Sequence, residues 1–213
     1  MTEINVNRQS SIRIAGSLVL RFDPWEAEGQ GDADLIFITH SHYDHFSPPD
    51  VQRLLKADGL AVAPAAMERE LLARTELDRE QCLFVQPGER RSVRGISFSA
   101  VPAYNIGKPF HPRENGWCGY AVTMDEERFY ITGDTDLIPE MADIRCDTLL
   151  IPVGGTYTVD KNEAVRCAQL LRPRTVIPTH YGSVTGTPQD GSDFCRLMAA
   201  AAPEIKVVLK LNP

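Results

Sequence analysis

The sequence predicts a mixed α/β domain, with strands dominating the first part and helices interleaved with strands later. Three observations predict it. Short β-branched and aliphatic runs recur along the chain, turn residues separate them, and helix-capping residues open several of the stretches between them. No internal repeat or low-complexity run interrupts the pattern.

Ser11 to Arg21 is rich in β-branched and aliphatic residues and reads as one or two strands. Phe22-Asp23-Pro24-Trp25 ends it, because proline lacks a backbone donor and restricts the residue before it. Leu35 to Thr39 is a short apolar run, as expected of a strand buried on both faces. Ser47-Pro48-Pro49-Asp50 opens a helix, with Ser47 as the cap and Pro48 in the first turn. A strand at Leu60 to Ala63 and a helix at Ala65 to Arg74 follow. Cys82 to Val85, Arg94 to Val101, Cys118 to Met124 and Arg128 to Thr132 read as strands, with Asp125-Glu126-Glu127 as a surface turn. Asp147 to Ile151 is a strand. Lys161 to Leu171 is a helix capped by Asp160, with Glu163 completing a capping box. Thr175 to Ile177 (strand), Ser192 to Ala202 (helix) and Ile205 to Leu211 (strand) close a set of roughly ten strands and four helices.

The 213 residues, 43% of them hydrophobic, suit one domain spanning residues 1–213 with a substantial core. A net charge of −7 repels phosphate backbones and gains nothing at an anionic membrane, so a small-molecule substrate is expected rather than nucleic acid or a membrane. No stretch approaches the roughly 20 apolar residues of a transmembrane helix. Met1-Thr2-Glu3-Ile4-Asn5 lacks the basic and apolar regions of a signal peptide. Cys82, Cys118, Cys146, Cys167 and Cys195 form no CxxC pair and read as buried small hydrophobes. A cytoplasmic location is therefore expected, and a homo-oligomer remains open.

The most informative segment is Thr39-His40-Ser41-His42-Tyr43-Asp44-His45. It places three of the five histidines and an aspartate directly after a buried strand, where a rigid scaffold can hold loop ligands. In extended backbone, residues two apart face one side, so His40 and His42 can serve one ion, with Asp44 continuing that face and His45 pointing elsewhere. The same short loop could therefore serve one metal with His40 and His42, and a second with Asp44 and His45. Imidazole and carboxylate donors suit Zn²⁺, Mn²⁺ or Fe²⁺.

This run resembles the HxHxDH signature of the metallo-β-lactamase superfamily. Phe22-Asp23-Pro24 resembles the "DP" that precedes it in many members, and Thr132-Gly133-Asp134 resembles the later "GD" motif, whose aspartate bridges two metals. Pro178-Thr179-His180-Tyr181-Gly182 resembles the final histidine motif. The nearest subgroup is the short one-domain hydrolases similar to L-ascorbate-6-phosphate lactonase. The resemblance implies a four-layer αββα sandwich with mixed sheets. It implies His40, His42, Asp44, His45, Asp134 and His180 as ligands for one or two ions, zinc first among them, and a catalytic role for Asp44. Asp134 and His180 also end strand-like runs, and a glycine before Asp134 allows a close turn.

The superfamily supplies one more histidine where this chain has Asn105; the remaining histidine is His111. Three readings stand: His111 folds back as the ligand, Asn105 coordinates or holds a water, or the first site is open. Gly154 and Gly155 can expose amide donors, and Tyr157 can donate to a developing oxyanion. Lys108, Arg113 and Trp117 lie near His111, and the two cations would favour an anionic substrate. The expected chemistry is hydrolysis of a lactone, ester or phosphoester by a metal-activated water. A nuclease, a di-iron redox protein and a non-catalytic metal- or ligand-binding domain are the other readings.

Overall fold

A computed structural model describes residues 2–211. Thirteen strands form two mixed sheets. Strands β1 (Glu3–Val6), β2 (Ile12–Ala15), β3 (Val19–Phe22), β4 (Ala33–Phe37), β5 (Leu55–Pro64) and β6 (Cys82–Val85) lie in that order in the first sheet. The second contains β7 (Arg90–Val93), β8 (Ile96–Pro102), β9 (Cys118–Met124), β10 (Glu127–Ile131), β11 (Thr148–Pro152), β12 (Thr175–Thr179) and β13 (Lys206–Val207), again neighbour to neighbour. Strands β3 to β6 pair in parallel, as do β10 to β13; the remaining pairs are antiparallel.

Alternation along β4 shows how the layers stack. Leu35 and Phe37 enter the core between the sheets, where Phe37 meets Phe98 of β8 and Tyr120 of β9 at centroid distances of 5.3 and 5.0 Å. Ile36 faces the other way, and Ala33 joins it across a β-bulge, in one cluster with Val51 and Leu54 of helix α1 (Pro48–Leu54) and Leu71 of α2 (Glu68–Arg74). Both faces are covered, which is why β4 is buried throughout and its sequence is continuously apolar. Helices α3 (Lys161–Leu171) and α4 (Asp190–Ala201) belong to the second sheet, their buried residues joining its core. The result is the expected αββα sandwich.

The caps form as the sequence predicts. Ser47 accepts a hydrogen bond from the Asp50 amide, and the Asp160 side chain accepts from the Asn162 and Glu163 amides while the Glu163 carboxylate accepts from the Asp160 amide. The Asp125-Glu126 turn has both residues at positive φ, 50° and 65°, the geometry that matches strand twist in a two-residue hairpin.

Several boundaries differ from expectation. The run predicted as one strand from Arg94 begins after a second hairpin turn at Arg94-Gly95, and Arg90–Val93 forms the edge strand β7. Its mostly exposed, charged residues hide it from hydrophobic patterning. Strand β1 was not expected, and the last strand pairs over two residues only. Ala65 to Met67 is a tight 3₁₀ turn leading into α2. Among the described residues no helix is long and apolar enough to cross a membrane.

Candidate metal centre

Strand ends from both sheets converge at one edge of the sandwich. The 39–46 loop leaves β4 and turns at once: the His42 carbonyl accepts from the amides of His45 and Phe46, at 3.0 and 2.8 Å. This turn replaces the extended geometry expected for the loop. Asp44 therefore does not continue the face of His40 and His42 but joins His45 on the other side.

Two ligand sets result, each with donor atoms within 4.8 Å of one another: His40, His42, His111 and Asp134 in one, and Asp44, His45 and His180 in the other. Asp134 joins them. Its carboxylate stands 3.3 Å from His45 Nε2, 3.2 Å from His180 Nε2, 3.4 Å from His111 Nε2 and 3.9 Å from His40 Nε2. His40 Nε2 and His42 Nδ1 are 3.1 Å apart. Two nitrogens bound tetrahedrally to one zinc-sized ion stand about 3.3 Å apart, so the spacing is that of shared coordination.

The histidines are aimed by the groups behind them. His45 Nδ1 lies 2.8 Å from Asp23 Oδ2, His40 Nδ1 2.9 Å from Thr39 Oγ1, and His111 Nδ1 3.1 Å from Asn105 Oδ1. Each contact commits Nδ1 to a protein oxygen and leaves Nε2 to face the centre. Asp23 is fully buried and also accepts from the Thr39 amide and hydroxyl, both at 2.7 Å. It groups with His40 and His45 by distance, but both its oxygens are committed, so it acts as an anchor. Asn105 accepts from the His111 amide as well and donates to Asp136 and to the Tyr157 carbonyl. It is thus placed behind His111 and outside the ligand sets, and His111 stands where the additional histidine is expected.

Gln9 had no sequence signal. Its side-chain amide donates to Asp44 Oδ2 at 3.1 Å and accepts from Ser183 Oγ, while its carbonyl accepts from the His180 amide. Gly133, at φ 63°, turns the chain so close to Thr39 that an added Cβ would meet the Thr39 Cβ at 3.0 Å, and the turn delivers Asp134 to the loop.

Burial and charge prepare the two sides differently. Burial pushes the His40 imidazole well below its ordinary range and lowers His42. Burial opposes charge on His45 and His180 most strongly of any one cause, but the surrounding carboxylates together outweigh it, Asp134 with Asp23 and Asp44 at His45 and Asp134 with Asp44 at His180: His45 is raised and His180 is pushed up to about 10. Burial would raise Asp134, yet the His180 and His45 charges hold it well below the carboxylate range. The same balance lowers Asp44, whereas burial keeps Asp23 raised. The protein thus holds the Asp134 and Asp44 carboxylates where neighbouring positive charge favours their ionised form. Buried atoms without a hydrogen-bond partner collect here too, among them His45 Nε2, His111 Nε2, His180 Nε2 and Asp134 Oδ1. Donor types, spacing and orphaned atoms all fit divalent cations.

The centre floors a cavity of about 290 Å³, with His42, Asp44, His111, Asp134 and His180 at the base and Tyr43, Phe110, Tyr157 and Val184 around the mouth. Tyr157 reaches the wall, as the sequence suggests. Three other loop candidates do not. Lys108 turns away to donate to Asp136 Oδ1 and the Thr158 carbonyl, at 2.7 and 2.8 Å. The Gly155 amide is used by the Val159 carbonyl, and Gly154 pairs with Asp160 in a β-bridge. Arg113 pairs with Glu140 and covers the Tyr104 ring, and Trp117 packs against the rings of His40, His42 and His111. Spacing along the chain brought these residues near His111 but could not show their partners.

Gly154 has a different task. A Cβ there would meet the His180 carbonyl oxygen at 2.3 Å, closer than atoms can approach. Gly154→Ala is expected to push the His180 backbone aside, lowering stability by about 1–3 kcal/mol and weakening metal binding about 10–100-fold. Thermal melts with and without added metal separate the two effects. Unchanged melting in both states would refute the close contact.

The profile of the β-lactamase superfamily domain matches residues 9–180, and the chain belongs to that superfamily, the metallo-β-lactamase one its motifs resemble. It is similar to a UPF0173 metal-dependent hydrolase of Thermococcus kodakarensis, at 27% identity over 95% of this chain and 94% of the relative. It is similar also to one of Thermus thermophilus, at 30% identity over 86% and 82%. Among solved structures, a proposed metal-dependent hydrolase of Parabacteroides distasonis superposes with a TM-score of 0.83, at 28% identity over 99% of this chain and 94% of that one.

Proposed function

We propose that the chain is a metal-dependent hydrolase of a small substrate, a single catalytic domain of the cytoplasm that opens a lactone, ester or phosphoester. The observation that carries this is the position of Asp134 between two ligand sets at the floor of an open cavity. His40, His42, His111 and Asp134 would hold one cation, and Asp44, His45, His180 and Asp134 a second; the donors suit zinc, with manganese or iron as alternatives. A divalent ion held there would lower the pKa of a bound water to about 7 and polarise the scissile oxygen.

The protein's own groups do the rest. Asp23, Thr39 and Asn105 fix the imidazole tautomers. Asp44, held by the Gln9 amide at the cavity floor, stays ionised and is placed to take the proton from the attacking water and pass it to the leaving group. Tyr157 on the wall is placed to donate to oxyanion charge.

The test is Asp44→Asn, assayed with chromogenic esters, lactones and phosphodiesters alongside metal content. Turnover is expected to fall by about 10²–10⁴-fold. Full turnover at unchanged metal content would remove Asp44 from the mechanism.

A further inference from the structure

We infer that the substituent carried by the scissile group is uncharged and apolar, which makes the substrate a small aliphatic or aromatic carboxylic ester or lactone; this rests on the hydrolase reading above. The cavity is divided by chemistry. Its imidazoles and carboxylates are His42, Asp44, His111, Asp134 and His180, and the lining that would grip the remainder of a substrate is Tyr43, Phe110, Tyr157 and Val184. Phe110 and Tyr157 meet edge to face with centroids 4.7 Å apart, forming one continuous aromatic wall. Tyr43 is 63% exposed and Phe110 39%, so large apolar surface waits at the mouth of this cavity, and covering it with a ligand is favourable in proportion to area.

A phosphate or carboxylate substituent would find no cationic side chain there. Neither Lys nor Arg is among the described lining residues. The two cations close by in sequence are already neutralised, Lys108 by Asp136 and Arg113 by Glu140. The net charge of −7 opposes a second anion further. Desolvating an anion between aromatic rings carries a cost that the Tyr43 and Tyr157 hydroxyls, as neutral donors, offset only in part. Any attraction from cations at the base would act on the reacting group and would be common to every substrate. The volume of about 290 Å³ keeps the substrate small.

The experiment uses the metal-loaded full chain and two hydroxamates with the same chelating head, 3-phenylpropionohydroxamic acid and succinic monohydroxamic acid, titrated by calorimetry. The phenyl compound is expected to bind at least about tenfold tighter. Phe110→Ala should narrow that gap by weakening the phenyl compound more than the succinyl one, and the partly exposed side chain can be truncated without hollowing the core. Equal or tighter binding of the succinyl compound overturns the inference and leaves the hydrolase standing. Failure of both to bind overturns the metal centre and the inference together. In parallel, phenylpropionate and hemisuccinate esters of one phenol are compared by kcat/KM. If neither is hydrolysed while the phenyl hydroxamate binds tighter, the ester hydrolase reading falls and the ligand preference stands.

Discussion

Asp134→Ala is expected to empty both cation positions and abolish hydrolysis. Asp134 contacts members of both sets, lying within 3.4 Å of His45, His111 and His180. Removing the carboxylate takes a ligand from each position and the shared negative charge from between two cations. Loss of a group that only orients a ligand costs about 10–100-fold in affinity or activity, and loss of a shared ligand must exceed that. Elemental analysis of protein purified without chelator should fall from about two equivalents to near zero. Asp134→Asn keeps the shape and removes the charge; it should lose metal nearly as completely. A full metal complement in Asp134→Ala, with turnover within tenfold of the parent, would show that the carboxylate does not bridge.

His111→Ala and Asn105→Ala should separate a ligand from its support. His111 points Nε2 at Asp134, and Asn105 Oδ1 receives its amide and Nδ1. His111→Ala is expected to leave about one equivalent of metal, because the His40 and His42 side loses a third imidazole. Asn105→Ala keeps that imidazole but frees its ring and the loop held through Asp136 and Tyr157. Its metal should remain at saturating concentrations and bind about 10–100-fold more weakly. Two equivalents in His111→Ala would exclude it as a ligand. An Asn105→Ala protein as empty as His111→Ala would mean that Asn105 itself binds.

The parts legible in the sequence are those where chemistry is local. A buried run such as Leu35 to Thr39, or a capping box such as Asp160 with Glu163, is written in adjacent residues. The HxHxDH loop is equally compact. The division of its ligands, His40 and His42 on one side and Asp44 and His45 on the other, was legible, but the side on which Asp44 faces was not, because it depends on the turn closed by the His42 carbonyl. Nor was the fate of Lys108: an ion pair with Asp136, on another loop, leaves no trace in spacing. Gln9 is the extreme case. A single glutamine carries no pattern, and only the approach of the chain to Asp44, Ser183 and His180 gives it a role. Strand β7 escaped because an edge strand can be charged on both faces.

The ligands leave strands of both sheets: His40, His42, Asp44 and His45 follow β4, whereas Asp134 and His180 follow β10 and β12. Cations held between them would therefore act as a rivet through the sandwich. They would tie the first quarter of the chain to its last and close a loop that spans most of its length. By the chain-entropy argument such a clip restricts the unfolded ensemble by about 4–5 kcal/mol, as a long-range crosslink does. Folding and metal uptake would then draw on the same free energy, so a change that loosens either sheet would register as weaker metal binding far from where it was made.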